Sequence, residues 1–206
     1  MEKVECEIMT QKKLVALAHY ALALLALVLL LGAMPMDSVA ATATPTTNPT
    51  RVSHFFPTGV RSTPASSGDC WVTSLAVPRK DTWRCMVGNS IYDPCFSSPE
   101  QKDYVLCDAS PAADTNGLKV TLTDPLPAST ATGGDDKPWV LHLANGAYCT
   151  FVTGATGLVG DERINYGCTN KAFIPGFPKQ GSVWTVQELF DGQKVPVTTT
   201  VLQAWT

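Results

Sequence analysis

Cysteine placement constrains this chain more than any other feature. Of seven cysteines, Cys6 precedes an uncharged apolar run from Leu14 to Ala33. The other six, Cys70, Cys85, Cys95, Cys107, Cys149 and Cys168, lie beyond it. An even set of cysteines beyond an export-type segment reads as three disulfides, because thiols oxidise outside the cytoplasm. No two have the two-residue separation of zinc knuckles or redox motifs, and no histidine stands near them in sequence to complete a metal site. Neither a metal nor a cofactor is therefore expected. Short loops lose least entropy on closure. That favours neighbour with neighbour: Cys70 with Cys85, Cys95 with Cys107 and Cys149 with Cys168, each bridge contributing roughly 3 kcal/mol.

The apolar run itself has two open readings. Lys12 and Lys13 precede it and the small residues Ser38, Val39, Ala40 and Ala41 come after it, the pattern of a cleaved signal peptide. Its twenty residues would also span a bilayer, at about 30 Å of helix. An uncleaved anchor would keep the lysines inside and the C-terminal bulk outside. Residues 1–41 are thus a signal peptide or an N-terminal membrane anchor. Either way the protein is extracytoplasmic, touching a membrane only through 14–33 if that segment is retained. Beyond residue 41 the chain carries 12 basic and 14 acidic residues. They are scattered, with no basic patch, so nucleic acid is not an expected partner.

From 42 to 68 the composition changes: 15 of 27 residues are Thr, Ser or Pro. Such a stretch buries too little apolar area to offset its ordering entropy, and it reads as a disordered linker. Its one apolar cluster is His54-Phe55-Phe56. Residues 69–206 then read as a disulfide-containing β domain, a small barrel or sandwich of about 8–10 short antiparallel strands.

The alternation in Trp71–Val77 predicts a strand with Trp71, Thr73, Leu75 and Val77 on one face. Residues 88–100 read as loop, with Asp93-Pro94 and Ser98-Pro99 as turn formers. Leu118, Val120 and Leu122 face inward. Asn145-Gly146, between two apolar runs, predicts a two-residue type I′ hairpin, and Asp191-Gly192 a second one. Pro196 places the last strand at an edge or at a point that needs no ladder bond. The five tryptophans, Trp71, Trp83, Trp139, Trp184 and Trp205, are expected in the core, although aromatic faces can also serve as sugar platforms.

Three motifs suggest chemistry. Val152-Thr153-Gly154-Ala155-Thr156-Gly157-Leu158-Val159-Gly160 resembles the nucleotide-binding turn of short-chain dehydrogenases. The next residues, Asp161 to Cys168, have no helical periodicity, and the 46 residues after Gly160 cannot supply the rest of a doubly wound domain. A glycine-rich loop between strands is expected instead. His142 is the one histidine within 69–206 and so the one neutral-pH base for a secreted hydrolase, but no serine lies in a glycine-flanked nucleophile turn. The adjacent acids Asp135-Asp136 and Asp161-Glu162 read as solvated turn residues. No catalytic set is assembled.

Taken together, Trp83-Arg84-Cys85, Asn89–Phe96 (NSIYDPCF), Leu143-Ala144-Asn145-Gly146, Asn165-Tyr166-Gly167-Cys168 and Ala204-Trp205 resemble an uncharacterised group of exported or membrane-anchored bacterial envelope proteins. That resemblance implies context and no mechanism. The function expected is a non-enzymatic binding or surface-display domain whose partner is an extracellular glycan or protein. A hydrolase using His142 and a disulfide-rich inhibitor-like scaffold are the alternatives.

Overall fold

The computed structural model describes residues 48–62, 66–131, 133 and 137–206. The apolar run and the Asp135-Asp136 pair lie outside the described residues. Among those described the protein is all-β, and no helix is long and apolar enough to cross a membrane.

Five consecutive strands make the first barrel: β3 (Ser66–Thr73), β4 (Thr82–Val87), β5 (Ser90–Ser98), β6 (Gln101–Cys107) and β7 (Asn116–Leu122). Each pairs antiparallel with the next, and β7 returns to β3 to close the ring. An up-and-down path with an odd number of strands ends pointing the way it began. The closing seam is accordingly parallel, with Ser66 opposite Val120 and Gly68 opposite Leu122. Gly68 is required there, since a Cβ would lie 2.3 Å from the Met86 carbonyl oxygen.

The second barrel uses β8 (Val140–Leu143), β9 (Tyr148–Phe151), β11 (Glu162–Cys168), β12 (Phe173–Pro175), β13 (Trp184–Glu188) and β14 (Val197–Trp205), while β10 (Leu158–Val159) hangs on β11. Each adjacent pair is antiparallel. The ring closes where Phe173 and Leu189 exchange backbone hydrogen bonds of 3.0 and 2.9 Å. Six strands, an even number, need no parallel seam. All six contribute to one core, including Leu141, Leu143, Tyr166, Ile174, Trp184, Val186 and Val201.

The three disulfides join Cys70 to Cys85, Cys95 to Cys107 and Cys149 to Cys168, the neighbour pairing that short loops favour. Each pair sits directly opposite on adjacent antiparallel strands, with Cα atoms 3.9, 4.1 and 4.0 Å apart. The first two bridges fill the first barrel, packed with Trp83, Val105 and Val120, and the Cys85, Cys95 and Cys107 sulfurs lie within 4.8 Å of one another. This sulfur cluster is the disulfide core. The Cys149→Ala/Cys168→Ala variant is expected to lose about 3 kcal/mol and to melt roughly 6–12 °C lower, as read by circular dichroism.

Several expectations need correction. The segment read as linker is partly structured: β1 (Arg51–Ser53) pairs parallel with β14, β2 (Gly59–Val60) pairs parallel with β7, and Phe55 is buried. Strands number fourteen among the described residues, and three pairings are parallel. Residues 88–100 are mostly strand, since Gly88-Asn89 makes a tight hairpin and Pro94 falls at a ladder irregularity that requires no bond from it. Trp71 follows the inward Cys70 and so points outward, a register shift between Cys70 and Val72 then brings Thr73 inward, and β3 ends there, so the face expected from Trp71 to Val77 is split. Trp71 and Leu75 are exposed while Thr73 and Val77 are buried.

At Asn145-Gly146 the hairpin forms, but only Gly146 has positive φ. Gly146 N–H donates to Leu143 O and Leu143 N–H to Ala147 O, so the loop is a three-residue turn. At Asp191-Gly192, Gln193 N–H donates to Phe190 O, but β13 and β14 are joined by a longer connection than two residues. Pro196 precedes the first residue of β14 and so stays off the ladder. The Val152–Gly160 stretch is a loop that ends in the short β10, and the strand β11, not a helix, follows it. The Arg163 guanidinium staples that loop by donating to Val152 O at 2.6 Å and Gly154 O at 2.7 Å.

Candidate functional site

Between the barrels lies a third apolar cluster of Phe55, Ala76, Val77, Phe96, Ala109, Trp139 and Val140. Phe55, Phe96 and Trp139 come from three distant segments, with ring centroids 5.5–6.2 Å apart. Beside it opens a cavity of about 310 Å³. Tyr92, Asp93, Asp108 and Ser110 wall it from the first barrel, and Trp139 and Thr150 from the second. A pocket at the junction of two packed units, with a few convergent polar groups, is where ligand binding is most often found.

Asp93 is held rigidly. Its side chain is 1% exposed and pairs with Arg84 at 3.1 Å. It also accepts from the Ser74 hydroxyl and, at 3.1 Å, from Leu75 N–H. Burial pushes the Asp93 carboxyl above its ordinary range, against the lowering pull of the Ser74 hydroxyl, the Leu75 and Ala76 N–H groups and Arg84. These bonds fix the 74–77 bend beneath the aromatic cluster.

Asp108 adopts φ of 56°, a left-handed conformation that Asp tolerates better than most residues. Arg61 secures it by donating to its carboxylate at 2.8 Å and to its carbonyl at 2.8 Å, and it reaches Asp114 at 3.0 Å. The Asn116 N–H and Arg61 hold the Asp114 carboxyl below its ordinary value. Arg61 belongs to the segment read as linker, so that segment holds a wall residue, Asp108, in place from behind.

Trp139 is 2% exposed, and its indole N–H is buried without a hydrogen-bond partner. An unsatisfied buried donor costs on the order of 1–3 kcal/mol, which an acceptor placed in the cavity would relieve. Both acids are already paired with arginines, and among the described residues no lysine or arginine lines the space. The groups left available are hydroxyls, carboxylate oxygens and small apolar faces. Such walls suit an uncharged, hydroxyl-rich molecule.

His142 is not part of this cavity. It stands on β8 between the buried Leu141 and Leu143, and its ring stacks on Tyr148 at 4.4 Å and 11°. Tyr148 stacks in turn near Trp205 at 6.2 Å. No carboxylate or hydroxyl bonds to the His142 ring among the described residues, and Asp161 and Glu162 are exposed. Of the five tryptophans, Trp83, Trp139 and Trp184 are buried, Trp205 is half-buried and Trp71 is 43% exposed.

Sequence reasoning singled out neither Asp108 nor Arg61, and it took Asp93 for a turn former. The one available signal was the buried fate expected of Trp139. Compared with protein-family models, curated proteins and solved structures, the chain matches none of them.

Proposed function

We propose that this is an exported, non-enzymatic domain with a binding or surface-display role, and that its ligand is a cell-surface glycan held at the inter-barrel cavity. The cavity carries the reading: paired carboxylates, the hydroxyls of Tyr92, Ser110 and Thr150 and an indole N–H without a partner suit the hydroxyls of a sugar ring better than an ion. Three formed disulfides support an extracytoplasmic location, and so does the resemblance to exported envelope proteins. The hydrolase alternative has little to build on, because among the described residues no acid bonds to the His142 ring to orient a base.

The test is retention of the full-length protein on purified, insoluble cell-wall material. Retention is expected, with Trp139→Phe lowering it about ten-fold, a loss of about 1.4 kcal/mol. The melting temperature should fall by only about a few degrees, since removing an unsatisfied donor offsets part of the packing lost with the smaller ring. His142→Ala should be retained like the parent. No retention on the wall material would remove the glycan reading.

A further inference from the structure

We infer that the protein has a second ligand site, a cationic groove beside the β5–β6 turn that takes a carboxylate-bearing polysaccharide. The inference rests on the glycan reading above and adds a place and a charge to it. The groove, about 470 Å³, is lined among others by Lys80, Lys102, Pro99, Pro125 and Leu126.

Most of its remaining polar atoms already have partners. Asp81 receives the Arg79 guanidinium at 3.0 and 2.9 Å. The Ser97 hydroxyl accepts from the Trp83 indole N–H at 3.0 Å and donates to Asp81 O at 3.3 Å. The Ser98 hydroxyl accepts from Glu100 N–H at 3.4 Å, and the Gln101 side-chain oxygen accepts from the Tyr104 hydroxyl. Lys80 and Lys102 are different: both are solvent-exposed, and neither makes an ion pair among the described residues. Asp81 is held by Arg79. The exposed Glu100 and Asp103, though near Lys102 in sequence, do not line the groove, whose own unpaired charges are the two lysines beside an apolar floor. Charge complementarity therefore selects an anion.

The polymer class is set by the surroundings of the lysines. An extended peptide docks by adding to a strand edge, or as a polyproline segment on aromatic side chains. The flanking strands offer no edge, because β5 pairs with β4 and β6, and β6 pairs with β5 and β7. Among the described residues no aromatic side chain lines the groove. A polysaccharide needs neither. Its carboxylates meet the two point charges, and the CH faces of its rings lie on Pro99, Pro125 and Leu126.

The experiment measures binding of the full-length protein to polygalacturonate, its fully methyl-esterified form and polyglutamate, alongside retention on wall material. Polygalacturonate is expected to bind and the neutral ester not. Raising salt from about 50 to about 300 mM should weaken binding several-fold. The Lys80→Gln/Lys102→Gln variant should bind polygalacturonate at least about ten-fold more weakly with an unchanged melting temperature, since exposed lysines contribute little to stability. Equal binding by the double variant, or equal binding of the ester, would overturn the groove assignment. Equal binding of polyglutamate would overturn the polysaccharide class. Loss of wall retention by the parent protein would remove the glycan reading itself, whereas wall retention without polygalacturonate binding would sink the groove alone.

Discussion

Glu188→Ala is expected to cost about 3–4 kcal/mol and to lower the melting temperature by roughly 6–16 °C. Glu188 is 1% exposed, and no lysine or arginine among the described residues pairs with it. Its side-chain oxygens are met by neutral donors: Asn145 Nδ2 at 2.8 Å, Asn170 Nδ2 at 2.9 Å and the Thr199 hydroxyl. Both asparagines sit in turns, where their other side-chain atom, Oδ1, accepts from Ala147 N–H and Ala172 N–H, each at 3.1 Å. One carboxylate thereby ties the β8–β9 and β11–β12 turns to β13 and β14. Alanine would take the acceptor from the half-buried Asn170 amide and Thr199 hydroxyl, at on the order of 1–3 kcal/mol each, while the exposed Asn145 amide can turn to water.

Glu188→Gln separates shape from chemistry. It keeps the volume but turns one acceptor into a donor, so one asparagine amide faces another N–H. About half the loss is expected, measured by urea unfolding and thermal melts tracked by circular dichroism. A glutamine variant as stable as the parent would show that geometry, rather than accepting capacity, holds the turns.

The range of each interaction decided whether the sequence revealed it. The disulfide pairing was legible because it is local: sequence separations of 15, 12 and 19 residues close at low entropy. The Asn145-Gly146 hairpin was legible for the same reason, although its turn type was not, because the Asn145 side chain is recruited by Glu188 far along the chain. The fate of residues 48–62 was hidden. A three-residue strand such as β1 has no periodicity to read, and its partners on β14 lie about 150 residues away. Composition describes what a segment does alone, and here Phe55 finds its burial against Phe96 and Trp139. Likewise the candidate cavity draws on separate stretches of both barrels. No local pattern could unite Asp93, Asp108 and Trp139 before the two rings were closed.

Arg79→Ala is expected to loosen the junction of the barrels, at about 3–4 kcal/mol and roughly 6–15 °C in melting temperature. The Arg79 side chain is 13% exposed, and its guanidinium does four jobs at once. One nitrogen donates to Thr206 O at 2.7 Å and another to Phe55 O at 3.0 Å, while the fork grips Asp81 and the plane lies 5.8 Å from the centre of the Phe96 ring. It thus binds the first barrel's β3–β4 connection to the β1–β2 connection and to the residue after β14. Truncation leaves Phe55 O without this donor and uncovers the aromatic cluster, so packing is lost along with charge-assisted bonds. Arg79→Lys keeps the charge and the stem but cannot reach two carbonyls and a carboxylate in one plane, and less than half the loss should be recovered. Because the damage lies between the rings, unfolding should cease to be a single transition. Tryptophan fluorescence and far-ultraviolet circular dichroism should then report different midpoints in urea. Coincident midpoints with an undiminished melting temperature would mean that the aromatic cluster holds the barrels together without its cation.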